Sequence, residues 1–464
     1  MRLESRRLRL SVAAAAVGLA FLVVTASATA ATKFKWMDGF NAPDTPDELD
    51  RVGVLKVGPK KADNVLVLNP GTSASAAYFR PLAKFVVDET KGWQVWAVER
   101  RENQLEDQSM IDQVKQGTAT AIDAFDYYLR FITDPSITPH FEFIPDSEVG
   151  FARGWGMSVE VQDLRRVVKK AQKRGGKVVV GGHSLGGSIT TAYATWDFNG
   201  KPGAKGLSGL VYIDGGSDPT PITPEEANQE LAELQAGSPW LTFGDIQAPF
   251  AGLFNTVGST AAVAAPDDLN EFRDWPPAPA NLKPPVPATN EAQYGFALDT
   301  ETSPPALVAA QAHLGRLAAS GDPRGWDNAG ELTPIERYAQ MFSGTGILGH
   351  DGTAWYHPQR LTIDSGAVAA GNANPAQQVL DVHATHGDDL SRKLRLYAFG
   401  ASLGGQRVLD AATALANQSG IPDKNLKLVN RASTYAHNDP NSAFPKNDFV
   451  KKLVPFLGKI QDNK

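Results

Sequence analysis

The feature that most constrains this chain is a serine set between a buried strand and a helix. Three consecutive valines at 178–180 predict the strand, and residues 188–194 continue in a helical pattern. The turn between them has the pattern Gly-x-Ser-x-Gly, formed by Gly182, Ser184 and Gly186. A serine at so sharp a turn adopts a strained backbone that exposes its hydroxyl, and small neighbours let strand and helix approach closely. The pattern predicts Ser184 as a nucleophile, with the backbone N–H of Leu185 placed to stabilise a developing negative charge.

The first 30 residues differ in character from the rest of the chain. Four arginines precede an apolar run over residues 12–24, and small residues follow it. A basic start, a short apolar middle and an Ala-x-Ala end predict a secretory signal peptide over residues 1–30, and the run is too short to span a membrane. We therefore expect a protein secreted to the periplasm or the extracellular space, without a stable membrane anchor. The Arg6-Arg7 pair suits twin-arginine export, but Arg9 replaces the usual apolar residue, so the general secretory route stays open.

Composition limits the partners of the chain and the size of its fold. With 464 residues, 42% of them hydrophobic and 21% charged, there is material for one large domain with an insertion, or for two domains. Removal of the signal peptide takes away four arginines and Glu4, which moves the formal net charge from −6 to −9. So acidic a chain is a poor nucleic-acid binder. The absence of cysteine excludes disulfides and a lipidated cysteine anchor, and nothing in the sequence indicates the oligomeric state.

Apolar runs that predict strands alternate with amphipathic patterns that predict helices. The predicted strands cover residues 51–57, 64–68, 93–98, 178–180, 206–213, 393–399 and 425–429. The predicted helices cover residues 76–86, 118–132, 159–172, 188–194, 406–417 and 449–460. Continuous apolar strands covered by helices on both faces are typical of an α/β fold with a mostly parallel central sheet. In such a sheet, polar groups gather at the carboxyl ends of the strands.

A second turn of small residues follows the predicted strand 64–68. It has the sequence Asn69-Pro70-Gly71-Thr72 and lies directly before a predicted helix. A backbone N–H in this position is suited to bind the oxygen of an attacked carbonyl, so Thr72 is the candidate for the second oxyanion donor beside Leu185. The alternative is a simple turn between a strand and a helix.

Residues 217–389 differ from the sheet-forming parts of the chain in composition and in hydrophobic pattern. Prolines cluster between residues 276 and 287, no run of buried strands is visible, and the stretch is too long for a loop. We expect a large, mainly helical cap, inserted late in the sheet between core segments 31–216 and 390–464, with both attachments near the site. Its apolar cluster is most simply the cap's own core, although a cap over a site also gives the substrate an apolar wall. The cluster consists of Trp240, Leu241, Phe243, Phe250, Leu253 and Phe254.

Among the eight histidines, His437 is the best candidate for a base. A serine hydroxyl is a weak nucleophile until a base takes its proton, and a third group must orient that base. His437 alone follows a late sheet strand and stands in a short loop before a final helix. From such a loop, the imidazole reaches the carboxyl edge of the sheet, where Ser184 lies.

Three aspartates are candidates for the group that orients the base. Asp214 ends the strand directly after the nucleophile's helix, which gives the chain order Ser, Asp, His. Asp218 lies four residues further along, and Asp410 follows the next sheet strand but sits inside an amphipathic helix. Asp214 is therefore preferred, with Asp218 and Asp410 as alternatives.

Two further motifs carry weaker signals. A second Gly-x-Ser-x-Gly occurs around Ser402, but only one strand and one helix follow it, which is too little sheet to place an acid and a base. We interpret it as a structural turn. The string 383–389 contains two histidines and two aspartates without the spacing of a metallohydrolase ligand set, so it predicts a polar linker. The sequence thus indicates neither a metal nor a cofactor.

The motifs taken together resemble a known superfamily. The sequence Gly182-His183-Ser184-Leu185-Gly186-Gly187 resembles the lipase box of the α/β-hydrolases, and Asn69-Pro70-Gly71-Thr72 is similar to the oxyanion turn of some lipases. His437 falls where that superfamily keeps its base. The resemblance covers residues 50–216 and 390–460 and implies an α/β-hydrolase fold with a catalytic triad. The acid that the superfamily carries after the penultimate strand is missing here, and some lipases place it one strand earlier, in favour of Asp214.

The resemblance implies a serine esterase of the lipase-like kind. We expect it to form an acyl-enzyme on Ser184 and to act on small to medium hydrophobic esters. A peptidase or amidase uses the same groups and is one alternative. A binding module without catalysis is another, because function does not follow from fold.

Overall fold

The computed structural model describes residues 32–243 and 246–462. The predicted signal peptide over residues 1–30 lies outside these residues. The strands are β1 Thr32–Asp38, β2 Arg51–Val57, β3 Asn64–Asn69, β4 Trp93–Glu99, β5 Val178–His183, β6 Gly209–Ile213, β7 Thr242–Phe243, β8 Ile246–Gln247, β9 Arg316–Gly321, β10 Arg324–Asp327, β11 Arg395–Gly400 and β12 Leu426–Asn430. The α-helices are α1 Arg80–Glu89, α2 Ser109–Lys115, α3 Ala121–Tyr128, α4 Met157–Gln172, α5 Leu185–Thr195, α6 Pro224–Ala236, α7 Ala248–Ala264, α8 Asn290–Leu298, α9 Ile335–Ser343, α10 Gln359–Ser365, α11 Pro375–Leu380, α12 Gly405–Gln418, α13 Asp439–Ser442 and α14 Asp448–Asp462.

Eight strands form the central sheet in the order β1-β2-β4-β3-β5-β6-β11-β12. The six strands from β4 to β12 run parallel to one another. At one edge of the sheet, β2 pairs antiparallel with β4, and β1 pairs antiparallel with β2. The predicted α/β fold with a mostly parallel sheet is confirmed. The edge strand β1 was not predicted, because its residues alternate between exposed and half-buried positions and include few apolar side chains.

Alternating side chains of each strand enter two apolar layers. On one face, Val65 and Val67 pack with residues of α4, α5 and α12. On the other face, Leu66 and Leu68 pack with residues of α1 and α14. Burial on both faces explains why these strands are continuous apolar runs in the sequence. It also fixes the strand register, because a shift by one residue would exchange the two faces.

Residues 217–389 pack against both faces of the sheet. Helices α6, α10 and α11 join the layer that contains α4 and α5, and helices α8 and α9 join the layer that contains α1. Two short hairpins, β7–β8 and β9–β10, accompany the helices. The segment thus contributes to the same apolar layers as the sheet. The boundaries of a cap at residues 217 and 389 stay a prediction.

The two attachments of this segment lie at opposite ends of the parallel strands. The segment leaves after β6, but it returns at β11, where Arg395 pairs with Gly209 at the start of β6. The expectation that both attachments lie near the site was therefore wrong for the second one. Because β11 runs parallel to β6, β11 begins at the end of the sheet opposite to the carboxyl end of β6.

Across residues 32–243 and 246–462, no helix is both long and apolar enough to cross a bilayer.

Candidate active site

Ser184 occupies the tight turn between β5 and α5 that the sequence predicts. Its backbone has φ 55° and ψ −127°, a conformation that residues other than glycine rarely adopt. The turn is tight because Gly186 lies against the end of the neighbouring strand β3, where an added Cβ would be 2.1 Å from the carbonyl oxygen of Asn69. The side chain of Ser184 lines a cavity together with His437.

Asp214 and His437 lie side by side, although they are 223 residues apart in the chain. Asp214 directly follows β6, and His437 lies in the loop between β12 and α13. The Oδ2 atom of Asp214 is 2.7 Å from Nδ1 of His437, and both residues are buried, with 2% and 1% of their surface exposed. A carboxylate in this position accepts a hydrogen bond from Nδ1–H and so leaves Nε2 of His437 free to act as a base.

The second Gly-x-Ser-x-Gly motif holds the carboxylate of Asp214. Four backbone N–H groups of the turn after β11 point at it: those of Ala401, Gly404 and Gly405 reach Oδ1 at 2.6, 2.9 and 3.1 Å, and that of Leu403 reaches Oδ2 at 3.1 Å. Successive N–H groups of this kind form an anion-binding concavity. The sequence prediction of a structural turn missed this carboxylate-binding role.

The surroundings of Asp214 favour its ionised form. Burial alone raises the pKa of a carboxyl group, but the hydrogen bond and charge of His437 and the N–H of Ala401 outweigh it, so the pKa of Asp214 lies below its ordinary value. Asp214 is therefore a carboxylate at neutral pH, as the orientation of a base requires.

The alternative candidates for the acid, and the serine of the second motif, lie away from His437. Asp218 is exposed and accepts a hydrogen bond from the backbone N–H of Thr220. Asp410 is exposed on α12 and accepts one from Gln406. Ser402 is exposed as well, and its backbone N–H donates to the carbonyl of Tyr435. The structure brings none of these three side chains to His437.

The turn after β3 lies against the serine. A Cβ added to Gly71 would be 2.8 Å from Cβ of Ser184 and 3.5 Å from its Oγ, so a larger residue does not fit there. Thr72 follows and lines the same cavity as Ser184. Within the described parts of the chain, the backbone N–H groups of Thr72 and Leu185 donate to no other group. Both are free to bind a ligand oxygen, and their role as oxyanion donors stays a prediction.

Arg100 holds this turn in place by binding its backbone carbonyls. Its Nη1 donates to the carbonyl of Pro70 at 3.1 Å, and its Nη2 donates to the carbonyls of Gly71 and Ala74 at 3.0 Å. Its Nε donates to Glu102 at 2.6 Å. The planar fork of a guanidinium can make all of these contacts at once, which an ammonium group cannot. Arg100 is a positioning residue that the sequence analysis did not identify.

The charged residues around Arg100 are buried and paired. Mixed charges over residues 99–107 predict a solvated or internally paired loop. In the structure, Arg101 is fully buried and binds Asp50 at 2.6 Å and Asp163 at 2.7 Å. Internal pairing is found for Arg100 with Glu102, whereas the predicted solvation is wrong, because the partners of Arg101 come from distant parts of the chain that cover the loop.

A model of the alpha/beta hydrolase family matches residues 65–364, which include Thr72, Ser184 and Asp214. The chain belongs to this family. Among curated proteins, the sequence comparison gave no significant match.

Several solved structures of lipases and esterases are similar to this hydrolase. A candidate lipase from Sulfolobus solfataricus aligns over 93% of this chain and 95% of its own, with 15% identity and a TM-score of 0.50. A carboxyl esterase from Bacillus coagulans aligns over 92% of this chain and 98% of its own, with 14% identity and a TM-score of 0.40. A monoglyceride lipase from Saccharomyces cerevisiae aligns over 93% and 95%, with 11% identity and a TM-score of 0.38. At these identities, the comparisons bear on the fold alone.

The cavity of the hydrolase has a volume of about 930 Å³ and mostly apolar walls. Helix α7 contributes small residues to its lining, and α3 and α8 contribute Phe125 and Leu298. Of the predicted apolar cluster, Phe243 and Phe254 line the cavity. Trp240 and Leu253 instead pack with residues of α2 and α3 in a separate apolar cluster. The volume lies near the upper end of the range for drug-sized ligands, roughly 300–1,000 Å³.

The histidine-rich string of the hydrolase forms surface contacts. His383 pairs with Asp381 at 2.9 Å, and His386 pairs with Asp197 at 3.3 Å. No group of three or more histidines and carboxylates is arranged to hold a metal ion within residues 32–243 and 246–462.

Glu160 gives the hydrolase a measurable pH dependence of stability. Burial and the nearby charge of Glu102 raise the pKa of Glu160 to about 8. In the unfolded chain, the pKa is about 4.3, so the folded state holds an extra proton between these values and loses stability as the pH rises through about 8. We expect Glu160→Gln to gain stability relative to the wild type over this range, by up to about 1.4 kcal/mol per pH unit.

Urea unfolding of both proteins at a series of pH values between 5 and 9 measures this difference. Exposed Glu233 provides the control, because Glu233→Gln should leave the pH dependence of the wild type unchanged. A constant difference between Glu160→Gln and the wild type across the range would contradict the prediction.

Proposed function

We propose that this protein is a secreted serine hydrolase that cleaves carboxylic esters. The observation that carries the proposal is the pairing of buried Asp214 with His437 at 2.7 Å, in a cavity that His437 shares with the strained Ser184. Two unpaired backbone N–H groups beside the serine, those of Thr72 and Leu185, complete the set of groups that acyl transfer uses.

The proposed reaction proceeds in two halves. In the first, Oγ of Ser184 attacks the ester carbonyl carbon while Nε2 of His437 takes the hydroxyl proton, and Thr72 and Leu185 bind the oxyanion. The bond to the alcohol oxygen then breaks, and His437 returns the proton to the leaving alcohol. In the second half, His437 takes a proton from water, which attacks the carbonyl carbon of the acyl-enzyme. The bond from that carbon to Oγ of Ser184 then breaks, the acid leaves, and His437 returns the proton to Oγ.

The cavity supports small to medium hydrophobic esters as substrates. Its walls are mostly apolar, and Ser184 and His437 lie in its lining. Apolar surface that a substrate buries in such a cavity contributes roughly 25 cal/mol per Å². We infer no nucleic-acid partner, because the mature chain is acidic.

Labelling with a fluorophosphonate tests the proposed nucleophile. Folded protein should react stoichiometrically, and mass spectrometry of the peptides should place the adduct on Ser184. The same preparation should hydrolyse p-nitrophenyl esters of short acids. Well-folded protein that neither labels nor turns over would instead favour a binding module without catalysis.

A peptidase or amidase is the second enzymatic candidate, because the same groups can cleave an amide. Rates on an ester and on the amide of the same acid separate the two activities. We expect the ester to react faster, and faster cleavage of the amide would assign the protein to the other class.

Secretion is part of the proposal and is supported by the first 30 residues. Expression of the full chain in a host with both export routes should release a protein that lacks about 30 residues, as the mass of the intact product will show. A cytoplasmic product of full mass would argue against export.

The enclosed site predicts a preference for soluble hydrophobic esters over films of polyester. Residues from α3, α7 and α8 wall the cavity around Ser184, so a substrate must enter it, which a chain fixed in a solid surface does with difficulty. Product release from a soluble ester should exceed release from a polyester film at equal enzyme concentration. The reverse order would contradict this prediction.

A further inference from the structure

The histidine of the lipase-like motif, His183, lies directly behind His437. It ends β5, one residue before Ser184, and is 98% buried, with 2% of its surface exposed. Its ring centroid is 4.2 Å from that of His437. The reaction proposed above assigns no task to this side chain.

His183 binds the backbone of His437. Its Nε2 atom is 2.8 Å from the carbonyl oxygen of His437. A carbonyl has no proton to give, so Nε2 of His183 must carry the hydrogen and donate it. This contact fixes the peptide group that carries the base, in addition to the contact that Asp214 makes with the imidazole.

Tyr78 faces the other ring nitrogen of His183. Its hydroxyl lies 2.8 Å from Nδ1, which can accept a hydrogen bond from the hydroxyl when Nε2 carries the ring hydrogen. Asn441 donates to the same hydroxyl oxygen at 2.5 Å, and Oδ1 of Asn438 competes for its single proton at 2.6 Å. Every member of this group is buried, so a broken contact leaves a polar atom without water to replace the partner.

The charge state of His183 agrees with this arrangement. Burial and the neighbouring His437 hold the pKa of His183 well below its ordinary value. A neutral ring is what the reaction needs, because His437 becomes positively charged when it takes the proton of Ser184. Two imidazolium rings at this separation would repel each other strongly in a buried site.

The group also reaches the wall of the cavity. Asn438, which follows the base, donates through Nδ2 to the carbonyl of Ala309 at 3.0 Å and to the hydroxyl of Tyr338 at 3.3 Å. Ala309 lines the cavity, and Tyr338 belongs to α9. The position of the loop that carries His437 is thus fixed from the sheet by His183 and from the cavity wall by Asn438.

We propose that His183 and Tyr78 are positioning residues for His437, in that the Nε2–H of His183 holds the carbonyl of the base and the Tyr78 hydroxyl keeps that proton on Nε2. This inference rests on the proposed function. It extends that function because it assigns a role to two side chains that do not touch the reacting atoms.

The test compares two replacements of similar length at residue 183. In His183→Gln, an amide N–H can still reach the carbonyl of His437, whereas His183→Met offers no donor. We expect His183→Met to lower kcat on a p-nitrophenyl ester by about 10- to 100-fold with KM little changed, and His183→Gln to recover most of the loss. Equal kcat values for the two variants would overturn the proposal.

Tyr78→Phe tests the second residue against a matched control. Tyr212 is buried to a similar degree, and its hydroxyl contacts Thr191 at 3.3 Å on the opposite layer of the sheet. Tyr78→Phe should lower kcat severalfold, whereas Tyr212→Phe should leave kcat within about twofold of the wild type, with thermal midpoints measured for both. Equal effects on kcat from the two substitutions would remove Tyr78 from the proposal.

A measurement without turnover separates this inference from the proposed function. The proton between Nδ1 of His437 and Asp214 should give a downfield NMR signal that is sharp in the wild type and in His183→Gln, and broadened or lost in His183→Met. This pattern in a protein without esterase activity would support the positioning role while the proposed function fails. An unchanged signal in His183→Met would overturn the positioning role whatever the activity.

Discussion

Replacement of Ser184 by alanine is expected to lower kcat on p-nitrophenyl esters by about 10⁶-fold, the scale seen when a nucleophilic serine is removed. Without the hydroxyl, no acyl-enzyme can form, and the remaining groups can only bind the substrate and its oxyanion. The fold should survive, because Oγ of Ser184 makes no hydrogen bond within the described chain. We expect a change in unfolding free energy within about 0.5 kcal/mol.

A second substitution separates loss of the nucleophile from loss of the fold. Ser184→Gly removes the hydroxyl and also relieves the backbone strain at φ 55°, which costs a residue other than glycine about 1–3 kcal/mol. The glycine variant should therefore be inactive and more stable than the alanine variant by about 1 kcal/mol, as measured by urea unfolding. Retained ester turnover or fluorophosphonate labelling in either variant would exclude Ser184 as the nucleophile.

The strands and helices that surround Ser184 could be predicted because each buries a local apolar pattern. The valines of β5 are covered on both faces, so the run is uninterrupted, and the glycines around Ser184 mark the point where strand and helix meet. Local chemistry of this kind is visible in a single sequence. The family match over residues 65–364 agrees with that prediction of the fold.

The acid that orients the base could be predicted only as a preference, because its role depends on contacts between distant residues. Chain order favoured Asp214, but the turn that binds its carboxylate begins 187 residues later, at Ala401. That turn repeats the Gly-x-Ser-x-Gly pattern of the nucleophile, and the sequence alone does not show that its N–H groups, and not its serine, face the site. A repeated motif after a neighbouring parallel strand was the signal that could have indicated it.

Arg100 escaped prediction for a related reason. Its three carbonyl acceptors lie in the turn after β3, and backbone carbonyls leave no trace in a sequence. A charged residue among other charges predicts solvent exposure unless its partners are known. Here, Arg100 binds the backbone of the turn after β3, and its neighbour Arg101 binds Asp50 and Asp163, so only the three-dimensional fold shows that the charges support the candidate site.

Asp214→Asn is expected to lower kcat by about 10⁴-fold, with little change in the fold. The turn after β11 determines how the new amide must point. Three backbone N–H groups converge on the position of Oδ1 and one, that of Leu403, on Oδ2. The amide oxygen is therefore bound at the position of Oδ1, and the NH₂ group takes the place of Oδ2 beside His437. A donor in that place forces Nδ1 of His437 to accept, which moves the ring proton to Nε2. The base then carries a proton on the nitrogen that has to receive one from Ser184.

The same argument fixes the controls. Asp410→Asn and Asp218→Asn make the same chemical change at exposed residues that do not contact His437, so both should keep kcat within about twofold of the wild type. Equal and small losses in all three variants would mean that another carboxylate orients the base. Because the turn binds an amide oxygen as well as a carboxylate oxygen, Asp214→Asn should also remain folded at neutral pH. A large loss of activity in a folded Asp214→Asn protein therefore reports the tautomer of His437, and not the collapse of the loop that carries it.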